Sequence, residues 1–375
     1  MSPQDLRPIV VVFSKRLLPL SETFVVAQAE AMRRWRPIFA GPLRTDPSLP
    51  LPESYAPPFT ASRWKRAWRV LRTFFGNVPL PSSLRPKIVH AHFGPSGVLA
   101  MAFAARQRVP LVVTFHGFDT APSLGRKGLA GFAVRLLYRQ LFRRVKRLVA
   151  VSDHIAERLV ALGAPAEKVV RLYTGISLDA FPAPPPGPRP ARVLFVGRMV
   201  AFKGAPYLLE AYERLVAQRP GLELVLVGDG AERAGWEAAS RHLPGCRFVG
   251  WQSPEAVRRW MQTSQVFCGP SVFVGGRTEG LGHVFLEAQA SETPCVAFRA
   301  GGVPEAIEDG VTGLLAAPGD VQELTECLAR LLDDERLRAR MGKAGRNRVA
   351  EHFDIDRQTA RLETLYEEWT RGPGN

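Results

Sequence analysis

A proline-rich run, FPAPPPGPRPA from Phe181 to Ala191, constrains the fold of this chain more than any other stretch. Proline fixes φ and carries no backbone N–H, so neither a helix nor a central strand can cross the run. It reads as a hinge or linker over residues 179–190. The same pattern lies on both sides of it. Before it, short β-rich runs at Pro8–Phe13, Lys87–His90, Leu111–Phe115, Arg147–Val151 and Val169–Leu172 alternate with helical patterns such as Glu22–Arg34 and Gly128–Arg144. After it come strands at Val193–Gly197, Leu222–Val227, Arg247–Val249, Val266–Cys268, Pro294–Phe298 and near Gly313–Leu315, with helices at Ala205–Val216 and near Ala231–Ser240. Near-continuous apolar strands that alternate with helices predict parallel sheets covered on both faces. The expectation is an α/β protein of two doubly wound domains facing each other, 1–178 and 191–350, with a C-terminal helix over 351–375 that packs back on the first. In that architecture ligands bind beyond the carboxyl ends of the strands, so a cleft between the domains is the expected site.

A chain of 375 residues, 46% of them hydrophobic, can bury two such cores. No run approaches the ~18 consecutive apolar residues of a spanning helix, and the start has no signal-peptide pattern. Cys246, Cys268, Cys295 and Cys327 are scattered without C-x-x-C spacing, as core residues of a reducing compartment rather than zinc ligands or a disulfide framework. The formal net charge of +15 calls for an anionic partner: phosphorylated ligands, anionic lipid or nucleic acid.

Candidate site residues follow the strands. TEGLGHVFLEA places Glu279 in a glycine-punctuated loop and Glu287 inside the helix that follows, with Gly280, Leu281, Gly282 and His283 between them. A helix N-terminus there offers unpaired N–H groups and a positive dipole end to a phosphate. Carboxylates on either side can accept hydroxyls at the two ends of a sugar nucleotide, although an ordinary amphipathic helix with one buried and one exposed Glu would read the same way. Gly197, Arg198, Lys203 and Gly204 form a strand-to-helix loop whose cations suit a diphosphate. His116 ends the strand Leu111–Phe115 just before Gly117, where it can donate to a sugar hydroxyl, shift a proton or simply serve the structure. Ser21, Glu22 and Thr23 follow the first strand and can contact a phosphate or acceptor, or cap a helix. His90 and His92 alternate along a strand end; with no third ligand near in sequence, a metal site is not expected.

Five segments run in order along nearly the whole chain: TFHGFD (Thr114–Asp119), VGRMVAFKG (Val196–Gly204), LVGDG (Leu226–Gly230), EGLGHVFLEA (Glu279–Ala288), and GGVPEAI (Gly301–Ile307) with a later DGVTGLL. Together they resemble glycosyltransferase family 4, the retaining group with the two-domain, Rossmann-like GT-B fold. The opening PLSETFV is similar to the exopolysaccharide, O-antigen and capsule subgroup. The resemblance implies transfer of a sugar from a nucleoside-diphosphate sugar to a carbohydrate or lipid-linked acceptor in cell-surface polysaccharide or glycolipid synthesis. It places Arg198 and Lys203 on the departing diphosphate, Glu279 on the donor sugar, Glu287 on the ribose, the N–H groups of Leu281–His283 on the phosphates and His116 beside the transferred sugar. It implies front-face retention, without protein nucleophile, metal ion or other cofactor. Two positions depart from the family: Phe13–Ser21 has no glycine, and Tyr173–Thr174–Gly175–Ile176–Ser177 lacks the Asn and Asp of the usual N-G-I-D.

Ser62–Phe75, SRWKRAWRVLRTFF, sets Trp64, Trp68, Leu71 and Phe75 at helical spacing among Arg63, Lys65, Arg66, Arg69 and Arg72, and Arg135–Arg147 is a second basic run. Such a helix suits an anionic membrane surface, or packs on its own domain. The expected location is therefore the cytoplasmic face of a membrane, peripherally, with no nucleic-acid partner. Competing readings are a same-fold sugar-nucleotide epimerase and a non-catalytic anion- or nucleic-acid-binding protein. A nicotinamide dehydrogenase is disfavoured because Arg233 stands where the third glycine after Gly228 and Gly230 would be. A glycoside hydrolase is disfavoured by the spacing of the two glutamates along a helix.

Overall fold

The computed structural model describes residues 6–17, 23–44, 53–120, 128–182, 184–185 and 187–371. Its elements run β1 (Ile9–Phe13), β2 (Arg16–Leu17), α1 (Thr23–Glu30), β3 (Arg36–Ala40), β4 (Leu43–Arg44), β5 (Ser54–Tyr55), α2 (Arg63–Phe74), β6 (Pro86–His92), α3 (Gly94–Gln107), β7 (Leu111–Phe115), α4 (Leu129–Arg144), β8 (Arg147–Ala150), α5 (Asp153–Ala161) and β9 (Val169–Arg171). They continue with β10 (Arg192–Val196), α6 (Ala205–Val216), β11 (Glu223–Val227), α7 (Arg233–Ala239), β12 (Cys246–Gly250), α8 (Pro254–Thr263), β13 (Val266–Gly269), α9 (His283–Ala290), β14 (Cys295–Phe298), α10 (Val303–Ala306), β15 (Gly313–Ala316), α11 (Val321–Asp333), α12 (Glu335–His352) and α13 (Ile355–Thr370). The chain forms two compact units, Met1–Gly175 with Ile355–Asn375, and Ile176–Asp354.

The first unit is built on a parallel sheet in the order β5-β3-β1-β6-β7-β8-β9, with β2 and β4 pairing separately beyond the ends of β1 and β3. Strands buried on both faces, such as β7 (LVVTF, every residue buried), carry the continuous apolar runs that parallel sheets require. α13 closes one face. Its Leu362, Tyr366 and Trp369 join Val10, Ile88, Val112 and Trp35 in one core. The buried Glu363 carboxylate accepts from the N–H groups of Arg33, Arg34 and Trp35 at 2.7–3.0 Å, so it satisfies a turn that no strand or helix pairs.

The second unit is a parallel sheet in the order β12-β11-β10-β13-β14-β15. Counted within the unit this is 3-2-1-4-5-6, the doubly wound order in which the connection reverses direction between the first and fourth strands. β10 pairs with both β11 and β13. The loops leaving β10 and β13 therefore meet at one carboxyl-end crevice, and those loops carry the VGRMVAFKG and TEGLGH segments.

Candidate active site

At the crevice of the second unit, Lys203 Nζ donates to Glu279 Oε2 at 2.6 Å, and Ser271 Oγ donates to the same oxygen at 3.1 Å. The loop after β10 tightens into a short 3-10 turn, Ala201–Lys203, that ends on Gly204 at φ 69°. A side chain at Gly204 would place its Cβ 1.9 Å from the Pro270 carbonyl oxygen, so glycine is required where the two loops cross. The GGVPEAI glycines have a similar reason. A Cβ on Gly301 would fall 2.4 Å from Glu279 O, and one on Gly302 would fall 2.0 Å from Gly280 O. Gly302 N donates to Glu279 O at 3.0 Å. Three segments far apart in sequence thus fix the backbone at Glu279.

Burial by itself would raise the Glu279 carboxyl, but the Lys203 charge and hydrogen bond, the Ser271 hydroxyl and His283 hold it below the ordinary glutamate value. Glu279 is therefore an ionised acceptor. Burial pushes His283 down to about 4, against the pull of Glu279, so its ring is neutral. α9 begins at His283 after Gly282, whose φ of 89° lies outside the helical region, and no side chain caps it. The start of the helix lies beside Glu279, and Phe285 N already donates to Gly282 O at 2.9 Å within the first turn. Glu287 is the fifth residue of α9, just over one turn in. Burial raises its carboxyl to about 7, opposed by the charge of Arg258 on α8. Arg198 is exposed at the head of its loop, and a Cβ on Gly197 would meet the Lys203 side chain at 3.8 Å. Ser271 and Arg258 carry no motif of their own; only the loop crossing at Pro270 and the approach of α8 to α9 single them out.

In the first unit, His116 leaves the carboxyl end of β7. His116 Nε2 lies 3.1 Å from His92 Nδ1, with the two rings stacked at a 19° interplanar angle. His92 stacks in turn on His90, centroids 4.6 Å apart. His90 binds Thr114 Oγ1 at 2.6 Å through Nε2 and the Tyr366 hydroxyl through Nδ1. The third histidine that sequence spacing could not supply for His90 and His92 is therefore His116, brought in from the neighbouring strand. The rings stack in a row instead of converging, and among the described residues no group of three or more His, Cys, Asp or Glu is disposed to hold a metal ion. Burial holds His92 down to about 3 and His90 well below its usual value, so both are neutral.

Asp119 fixes the turn beneath His116. Its carboxylate accepts from Gly94 N at 3.0 Å, His116 N at 3.1 Å and Gly117 N at 2.9 Å, which ties the end of β7 to the start of α3. Burial raises this carboxyl to about 6 against those bonds and one from its own backbone N–H. Phe24 and Phe93 lie against the His116 ring at centroid distances of 4.9 and 4.6 Å. Thr23 is the exposed first residue of α1, and Ser21 and Glu22 lie outside the described residues.

Two family descriptions match in succession, Glycosyltransferase Family 4 over residues 20–180 and Glycosyl transferases group 1 over residues 180–348. The lipopolysaccharide core biosynthesis glycosyltransferase LpsE of Rhizobium meliloti is 30% identical over 77% of this chain and 83% of its own. The glycogen synthase of Mycobacterium tuberculosis is 31% identical over 72% of this chain. That match spans 66% of the synthase's length, just under two thirds. In fold, Anabaena HepE, solved with UDP and glucose, superposes with a TM-score of 0.75 at 18% identity, over 96% of this chain and all of HepE. Two parallel doubly wound sheets, with the family's segments at their carboxyl ends, are the GT-B architecture, and the chain belongs to glycosyltransferase family 4.

Proposed function

We propose that this glycosyltransferase moves a sugar, with retention at the anomeric carbon, from a nucleoside-diphosphate sugar to a carbohydrate or lipid-linked acceptor of a cell-surface polysaccharide or glycolipid. The observation that carries the reading is the Lys203–Glu279 pair beside the uncapped start of α9. An ammonium has three N–H donors. One serves Glu279, and the others are directed to the diphosphate with Arg198 and the first-turn N–H groups. Negative charge that develops on the departing nucleoside diphosphate is then met by preorganised donors, the largest electrostatic demand of such a reaction. With those cations in the protein, no divalent ion is required.

Glu279, kept ionised, accepts from hydroxyls of the donor sugar. Glu287 accepts from the ribose. His116 serves the transferred sugar or the incoming hydroxyl, and the leaving phosphate takes the acceptor proton, so attack occurs on the face the phosphate leaves. The polysaccharide assignment rests on the relatives: LpsE is named for lipopolysaccharide core biosynthesis, and AmsK of Erwinia amylovora, 30% identical, for amylovoran biosynthesis.

A membrane surface is the proposed place of work. From Ser54 to Ser152 the chain carries seventeen Lys and Arg against one acid, Asp119, and that acid is buried. α2 buries only Thr73, while Trp64 and Trp68 are 87% and 62% exposed. On α4, Leu129, Phe132 and Leu136 are exposed beside Arg135 and Arg139. Both helices adjoin α3. Exposed apolar side chains among cations suit anionic headgroups, at roughly 1 kcal/mol per cation close to the surface. No helix among the described residues is long and apolar enough to cross a membrane.

A thermal-shift screen against UDP-, GDP-, ADP- and dTDP-sugars tests the donor, since a true donor raises the melting temperature by mass action. NMR of the product's anomeric proton tests retention. No shift with any sugar nucleotide, or an inverted product, overturns the reading.

A further inference from the structure

We propose that His92 is a positioning residue for His116: it holds the His116 ring by one edge and fixes it as the Nε2–H tautomer, which leaves Nδ1 to accept from a substrate hydroxyl. The inference rests on the proposed place of His116 beside the transferred sugar and adds what sets its ring. Register brings the histidines together. β6 and β7 pair with His90 opposite Val112 and His92 opposite Thr114. Residues two apart along a strand share a face, so His90, His92, Thr114 and His116 lie on one face of the sheet. His92 Nδ1 and His116 Nε2 are 3.1 Å apart, in near-parallel rings whose centroids are separated by 5.3 Å. That offset lets an N–H at the edge of one ring meet the lone pair at the edge of the other.

Asp119 and the two phenylalanines cannot choose the nitrogen. The Asp119 carboxylate accepts from the backbone N–H of His116, which fixes the turn and not the ring. A half-turn of the imidazole would put a carbon where Nε2 stands, and the apolar rings of Phe24 and Phe93 are indifferent to that exchange. The bond to His92 is lost by it. His92 is itself held from behind: it stacks on His90, whose two nitrogens are engaged by Tyr366 of α13 and Thr114 of β7. With both rings neutral, one proton lies between His92 Nδ1 and His116 Nε2, so the pair has two forms: both rings Nε2–H, or both rings Nδ1–H. Nε2–H is the form that a free histidine side chain favours, and this geometry accommodates it on both rings at once. Burial keeps His92 neutral, so one of its nitrogens retains a lone pair; a charged His92 would have none. A proton gained by His116 at Nδ1 leaves the bond in place.

Long-range proton–nitrogen correlation NMR of the full chain, labelled in its seven histidines, reads the tautomers directly. Loss of a signal in His116→Gln or His92→Asn assigns it. Both rings should show Nε2–H. His92→Phe keeps a ring but no nitrogen. It should mix the two tautomers of His116 and lower kcat by roughly tenfold, the scale of one lost hydrogen bond. KM for the donor and the donor's thermal shift should not change. His92→Asn places an amide oxygen where Nδ1 stands, and it should keep the His116 Nε2–H signal and most of kcat. Nδ1–H on both rings in the wild type would overturn the proposal without any appeal to the variants' folding. Wild-type kcat in His92→Phe, or equal loss in His92→Phe and His92→Asn, would overturn it too. Wild-type transfer in His116→Gln would instead count against the place given to His116 in the proposed function.

Discussion

Lys203 and Glu279 lie 76 residues apart in the chain, and their side chains meet at 2.6 Å, each 14% exposed, where the loops leaving β10 and β13 cross. Each holds the other in its useful state: the lysine keeps the carboxylate ionised, and the carboxylate fixes the ammonium at the helix start. Lys203→Ala should therefore lower kcat by roughly a hundredfold. It should also cost about 1–3 kcal/mol of stability, because a partly buried carboxylate loses its cation. Adding Glu279→Gln should recover stability but not activity. Arg198→Ala, exposed and outside the pair, should lose activity with little change in stability. Urea unfolding beside steady-state kinetics separates these outcomes, and wild-type rates in both single variants would remove the cations from the site.

The two glutamates should respond differently to pH. The Glu287 carboxyl, raised to about 7 by burial, loses its charge as pH falls through that value, whereas Glu279 stays ionised there. Nucleoside diphosphate affinity should rise between pH 6 and 8 in the wild type and be flat in Glu287→Gln. The sign for stability is opposite. A raised carboxyl is costly to ionise in the fold, so Glu287→Gln should raise the melting temperature above pH 7 and leave it unchanged well below. Glu279→Gln should hardly alter diphosphate affinity and should impair transfer. Identical effects of the two variants on affinity would contradict the division of roles.

Acid should destabilise the first unit through its histidine row. His90 and His92 stay neutral in the fold, with His92 at about 3, while the unfolded chain protonates them near ~6.5. The stability they contribute is present in full above that value and lost as pH falls below it. His92→Phe, which can still stack, should flatten the acid limb of a urea-midpoint profile. His116→Ala should impair transfer. An unchanged acid limb in His92→Phe would mean the row is charged or exposed in solution.

Metal independence is expected if the proposed protein-borne cations stand at the leaving group. Transfer should persist in excess chelator. Loss of activity there, restored by magnesium or manganese, would show that Arg198 and Lys203 do not suffice.

Surface association should follow ionic strength. The protein should sediment with vesicles containing anionic lipid and much less with neutral ones. Binding should weaken with salt as the Debye length falls from ~10 Å at 0.1 M to ~3 Å at 1 M. Changing Arg63, Lys65 and Arg72 to Gln should reduce sedimentation severalfold while donor binding persists. Equal sedimentation of variant and wild type would leave the excess charge to another partner.

The sequence by itself determined the fold class, because period, apolar runs and the proline break are local properties that a linear reading can register. It also gave the strand ends at which Lys203, Glu279 and His116 stand, since a doubly wound sheet sends its ligand-facing loops from the carboxyl ends. Tertiary structure alone decided which of those ends meet. The 3-2-1-4-5-6 order puts β10 beside β13, and with it Lys203 on Glu279 and Ser271. Pairing of β6 with β7 turns a local H-x-H into a row that includes His116. Glu363 looks like any surface residue of a polar helix, yet it is buried on the turn at Arg33–Trp35. Hydrogen bonds and charge pairs act over a few ångströms in space, and the sheet order that brings distant loops within that range is a property of the whole unit.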